Sequence, residues 1–192
     1  MFENLRRLYI HYGGIAAIAK SSYFWIAVIL TLLSYRSIPR FEWSDKALSV
    51  MPSLTGFTIA AFAIIFAILN QEMLEKLMAL DDKGRSPIAA IAASIGHAVF
   101  IQVSALIFSI GSEFIDLSTG VDVLARWMKS LECSPEFLFS AVDWLSFSLS
   151  AVGIFLTYYG VLLVLAAILS IVRMQLLVAN ATKSKPPVPP TR

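Results

Sequence analysis

Residues 137–153 read FLFSAVDWLSFSLSAVG, and Asp143 is the only charged side chain between Glu136 and Arg173. The 36 positions from 137 to 172 therefore carry a single charge. As a helix they would reach about 54 Å at about 1.5 Å per residue, against a hydrocarbon core of about 30 Å. The run is too long to lie wholly in lipid. Counting back about 20–25 residues from Arg173 puts the far membrane boundary near positions 148–153. Asp143 then falls outside the hydrocarbon, beside Trp144, a residue type that favours the membrane–water interface. An intramembrane acid at this position would need a tilted helix or a buried cavity. The reading adopted is an interfacial carboxylate on a helix that crosses the membrane and projects beyond it.

Composition extends this reading to the whole chain. Of the 192 residues, 58% are hydrophobic and only 15% are charged, whereas soluble domains carry about 25% charged positions. The charges cluster between long uncharged runs, which is the pattern of a polytopic membrane protein. No small-residue cleavage site follows the first apolar stretch, so no signal peptide is expected. The expected fold class is an all-α membrane protein, with four transmembrane helices and short amphipathic interfacial helices. The spans fall at about 21–38, 48–70, 87–112 and 145–172. The first is the weakest, because only positions 21–35 are uncharged, and the stems of Lys20 and Arg36 must extend it by snorkelling. The second has Pro52 near its start, and the third opens on Ser86-Pro87, a cap followed by proline in the first turn. Residues 1–20 form an interfacial segment, 21–172 the membrane domain with an outer cap at 113–144, and 173–192 a basic Pro-rich tail.

Lysine and arginine set the orientation. The N-terminal segment, the loop between the second and third spans and the C-terminal tail share one side and hold ten basic residues. The other side holds five: Arg36, Arg40, Lys46, Arg126 and Lys129. Both termini are expected in the cytoplasm of a bacterial inner membrane. Cys133, the only cysteine, then lies outside, where it has no second thiol in its own chain to pair with.

The flanking segments are amphipathic. Phe2, Leu5, Tyr9 and Tyr12 share one helical face at the N-terminus, with Arg6 and Arg7 elsewhere, as in a helix lying in the inner interface. Val121, Leu124, Met128 and Leu131 repeat at helical spacing in the outer cap, and Phe41 and Trp43 serve as further interface anchors. The fourth helix is expected to start at Ser134-Pro135-Glu136. The second span is expected to continue unbroken into QEMLEKLMALDD (71–82), a rod over 52–80 loosened at its outer end by Pro52 and Gly56. Leu74, Leu77 and Met78 there form an apolar stripe among Glu72, Glu75 and Lys76, the expected partner-docking face. The tail TKSKPPVPPTR favours polyproline II and suits a tether.

Little in the sequence is catalytic. His11 and His97 are far apart, and there is no H-E-x-x-H, no cysteine pair and no Gly-rich phosphate loop. DDKGRS (81–86) lacks the spacing of a calcium loop and reads as a helix-ending turn at Gly84. No enzyme, cofactor, metal site or direct nucleic-acid binding is expected. The third span carries His97 and Gln102 at depth, as helix–helix hydrogen-bonding groups or as a water path. Small residues offer close-packing faces: Gly56 with Ala60, Ala63 with Ala67, Ala92 with Gly96, Ser146 with Ser150, and Gly153 with Thr157. Exposure of several such faces on thin helices points to a homo-oligomer, with a tetramer among the options.

The segment PSLTGFTIAAFAIIFAILNQEMLEKL (52–77) resembles the second helix of small bacterial four-span proteins, which runs into an amphipathic cytoplasmic extension. By size, span count and termini the chain looks most like the membrane subunit of the Kiwa anti-phage defence system. That resemblance covers about 25 residues plus the layout. It implies an oligomeric inner-membrane sensor that anchors or restrains a soluble cytoplasmic effector, and it supplies no catalytic residues. A second reading is a small homo-oligomeric ion channel or pore-forming effector lined by His97 and Gln102. A transporter is disfavoured by the lack of an inverted repeat and of a charged midplane residue.

Overall fold

A computed structural model describes residues 3, 14–36, 43–69, 71–78, 86–114 and 136–183. Among them the regular elements are helices: α1 (Gly14–Lys20), α2 (Ser22–Leu33), α3 (Trp43–Ile68), α4 (Gln71–Met78), α5 (Pro87–Phe114) and α6 (Glu136–Lys183). Three of these, α3, α5 and α6, are long and apolar enough to cross a membrane. Without water to receive stray backbone groups, a spanning segment must satisfy its amides and carbonyls within itself, and the helix does this. The hydroxyls follow the same logic. Thr31, Thr55, Ser104, Ser109, Ser148, Thr157 and Ser170 each donate to the carbonyl four residues earlier. They cost the membrane nothing and need no neighbouring helix.

The long helices pack as an interlocked trio in which each touches the other two. Paired contacts fix their directions. Ser44 meets Glu113, and Thr58 meets Gln102, so α3 and α5 are antiparallel. Trp43 lies against Gly153, and Met51 lies near Gly160, so α3 and α6 run the same way. The apolar core falls into three groups along this bundle. Trp43, Ala47, Met51, Ala105 and Ile154 fill one end, and Ile65, Ile88, Ile91, Ile95, Ala167 and Met174 fill the other. The third group, Ala27, Ala98, Ile101, Tyr159 and Leu163, attaches α2 to the flank.

The expected helix start at Ser86-Pro87 is seen directly, with Ala89 N–H donating to Ser86 Oγ at 3.4 Å. Helix α6 is described from Glu136, with Ser134 and Pro135 outside the described residues, and its 48 residues amount to about 72 Å. Asp143 is exposed among the described residues.

Three expectations need correction. The first span is not a helix over 21–38: α2 has 12 residues and ends at Leu33, where Ser34 turns the chain. The second helix is not an unbroken rod, because α3 stops at Ile68 and α4 starts afresh at Gln71. Asn70 falls at this junction in the sequence, a residue type whose side chain competes for backbone groups and weakens a helix. Trp43 is no interface anchor. It is 7% exposed, and its six-membered ring lies so close to the bare backbone of Gly153 that a methyl there would overlap it. The expected N-terminal interfacial helix, the outer-cap helix, Phe41, Cys133, the 81–85 loop and the Pro-rich tail lie outside the described residues.

The Trp43–Gly153 contact makes a sharp test of this packing. Gly153→Ala should lower stability by about 1–3 kcal/mol through overpacking. Gly56→Ala should leave the fold as stable or slightly more so, because nothing lies within 4 Å of a methyl at that position. Thermal unfolding of both variants in mild detergent reads the difference.

Candidate functional site

Three of the hydrogen bonds that reach between helices end on three consecutive residues of α6, Tyr158-Tyr159-Gly160. Tyr159 is 1% exposed, and its hydroxyl lies 3.0 Å from His97 Nε2 on α5, which is also 1% exposed. The two rings meet edge to face at 5.7 Å. Gln102, one and a half turns further along α5, is fully buried and faces a different gap. Its Nε2 donates to Thr58 Oγ1 on α3 and to the Gly160 carbonyl on α6, each at 3.2 Å. One amide thus ties all three long helices together. Both partners are acceptors here, because Thr58 Oγ1 already donates to the Leu54 carbonyl. That fixes which end of the amide faces them. Gln102 Oε1 has no partner among the described residues.

Gln102 and Met51 flank the Gly160 backbone, and a methyl there would sit 3.4 Å from each, an ordinary van der Waals contact. Tyr158, pointing the other way, places its hydroxyl 2.8 Å from Ser34 Oγ at the end of α2. Phe24 of α2 packs edge-on against Phe155 and Tyr159, at 5.4 and 5.9 Å between ring centres. Residues 158–160 therefore hold α2, α3 and α5 at once.

At the Trp43 end, Ser44 Oγ donates to Glu113 Oε1 at 2.8 Å. This brings a carboxylate from the end of α5 to the first turn of α3, where a negative charge favours the helix dipole. Ser150 Oγ and Trp43 Nε1, both buried, have no partner among the described residues. Ser150 thus departs from the self-bonding pattern, as Ser44 and Ser34 do by pairing with other helices.

The predicted residues are distributed as follows. His97 and Gln102 are both buried inside the chain's own bundle, and each has its own partners. Ser150 and Gly153 are buried, while Ala92, Gly96 and Ser146 are half-buried. Gly56 and Ala60 are exposed, and nothing among the described residues lies within 4 Å of a methyl placed on Gly56. On α4, Leu74 is half-buried against the Ile65, Ile88 and Ile91 group, so it is covered by its own chain. Glu75 and Met78 are exposed. The side chains of Glu72, Lys76 and Leu77 lie outside the described residues. No group of three or more His, Cys, Asp or Glu that could hold a metal occurs among the described residues.

Sequence reasoning missed Thr58, Tyr158, Tyr159 and Gly160. A usable signal was present. Tyr159 stands 14 residues before Arg173, about 21 Å along a helix. That is deeper than the aromatic belt, and a hydroxyl there needs a partner. The chain matches no protein-family model, no curated protein and no solved structure.

The node can be tested by a double-mutant cycle. Tyr159→Phe and His97→Phe keep the ring packing and delete the hydrogen bond. Their coupling energy in detergent unfolding should be about 0.6–1.7 kcal/mol, the range of interhelical bonds within membranes. Gln102→Leu should cost comparably little, because Thr58 keeps its bond to Leu54. Gln102→Glu should destabilise far more by burying a carboxylate.

Proposed function

We propose that this protein is a non-enzymatic membrane anchor and sensor that recruits or restrains a soluble cytoplasmic effector. In this reading it crosses a bacterial inner membrane four times, with α2 as a short first span and both termini in the cytoplasm. The observation that favours an anchor over a pore is the direction of its deep polar groups. His97 and Gln102 are 1% and 0% exposed and direct their hydrogen bonds into their own bundle. A pore along an oligomer axis would need them on the outside.

Self-association is supported by α3. Directly opposite its buried face, Ser49, Ser53, Gly56, Ala60, Ala63 and Ala67 are all exposed and all small. Such a face lets a second span approach closely in lipid. Partner docking is supported by α4, which leaves the end of α3 and stays amphipathic. Because Leu74 is turned inward, the docking face is the outward one, carrying Gln71, Glu75 and Met78. Gln71 Nε2 and Glu75 Oε1, at 3.4 Å, line up along it. The placement in anti-phage defence rests on the resemblance of residues 52–77 and on the layout.

Affinity purification in mild detergent tests the reading. The expected result is an oligomer of this chain with a soluble protein attached. Glu75→Lys with Met78→Ser should release that protein and leave the oligomer intact, whereas Gly56→Leu with Ala60→Leu should break the oligomer. A monomer that conducts ions in vesicles and carries no partner would sink the proposal in favour of the channel.

A further inference from the structure

The helix α2 does not match its neighbours in length. Its 12 residues reach about 18 Å, roughly 12 Å short of a typical hydrocarbon core. The long helices have 26, 28 and 48 residues. Among the described residues, the helix itself is interrupted at both ends of α2. Ser21, at ψ 127°, breaks the helix from α1, and the Ser34 amide folds back onto carbonyls of the last turn. Exposed Lys20 and Arg36 bracket the segment, and their stems extend its reach only modestly. Yet the outer face of α2 is plainly apolar. Trp25, Ile26, Ile29, Leu32 and Leu33 are between 43% and 75% exposed.

The attachment of α2 is also one-sided. It packs chiefly on α6, through Ala27, the Phe24 ring and the Ser34–Tyr158 hydrogen bond. The long helices are each held from two sides. A short apolar helix held on one flank is relieved of mismatch by a thinner local bilayer, because tilting would shorten its reach further and drawing Lys20 or Arg36 inward would bury a charge.

We infer that the exposed face of α2 is a seat for lipid of short acyl chain, at which the bilayer thins beside an otherwise full-length bundle. This rests on the four-span reading, in which α2 crosses the membrane. Trp25, 55% exposed on that face, is a built-in reporter. The full-length protein is placed in vesicles of a phosphatidylcholine with long brominated chains, which quench tryptophan. Unbrominated lipid with chains from roughly fourteen to roughly twenty-two carbons is then titrated in. The Trp25 signal is the difference between the native protein and Trp25→Phe.

Short-chain lipid should displace the quencher from Trp25 severalfold more effectively than from the other tryptophans, and long-chain lipid should not. Inserting four apolar residues after Ile29 should abolish the preference. Displacement at Trp25 that is independent of chain length overturns the seat. In a Cys133→Ser background, thiols at Ala16→Cys and Tyr35→Cys should react with an impermeant reagent from opposite sides of the membrane. Reaction from the same side overturns the four-span reading and the seat together. Reaction from opposite sides with uniform displacement overturns the seat alone.

Discussion

In hydrocarbon a polar side chain has no water to fall back on, and this bundle is organised around where its few deep polar groups find partners. Residues 158–160 of α6 answer that constraint for three helices together. Tyr159 takes His97, the Gly160 carbonyl takes Gln102, and Tyr158 takes Ser34. Each bond is worth little alone, about 0.6 kcal/mol on average for such pairs. Their effect lies in register. A slide of α5 by one turn would strand His97 and Gln102 in an apolar medium, and burying such groups unpaired costs several times what the bonds contribute. The node therefore selects one packing among the many that apolar surfaces would accept.

Shape does the same work at the Trp43 end. An indole over the bare backbone of Gly153 leaves no room for α3 to slip along α6. The Ser44–Glu113 bond then ties the start of α3 to the end of α5. The opposite end is purely apolar, filled by isoleucines and Met174. Specificity is thus concentrated in the half of the bundle from Trp43 to Gly160, and plain close packing serves the rest.

Uncharged runs bounded by charges made α3, α5 and α6 legible in the sequence, as did the capped start at Ser86-Pro87. The direction in which residues face was not legible. A helix apolar on every side has little periodicity to read, so Gly56 and Gly153 look alike in the sequence although one faces out and the other grips Trp43. For the same reason Trp43 resembled an interface residue. The break after Ile68 was hidden by a hydrophobic pattern that continues across Asn70. The short α2 was hidden because an uncharged run gives the extent of a segment and says nothing of where its helix stops. His97 and Gln102 were found because polar residues are rare at that depth. Their partners Thr58 and Tyr159 were missed because hydroxyls look unremarkable in spans where most of them bond their own carbonyls.

The division between fixed and peripheral parts constrains how such a molecule can respond to anything. The trio α3, α5 and α6 is pinned by contacts that all fail together if one helix moves, so a small stimulus has little purchase on it. The helices α2 and α4 are each held largely by one long neighbour, α6 for α2 and α5 for α4. Both are short, and each is separated from its neighbour in sequence by a break, at Ser21 and after Ile68. These two elements are therefore held more loosely than the trio, with α4 beside the apolar end of the bundle. The node links them mechanically, since Tyr158 and Tyr159 touch α2 while Gln102 and His97 lie on the same helix as Ile88 and Ile91, against which Leu74 of α4 rests. A shift of α2 that strained Tyr158 or Tyr159 would thus have a stiff route to α4 along α5, beside the apolar packing that Ala27 shares with Ala98 and Ile101 and that Leu74 shares with Ala167 and Met174 of α6.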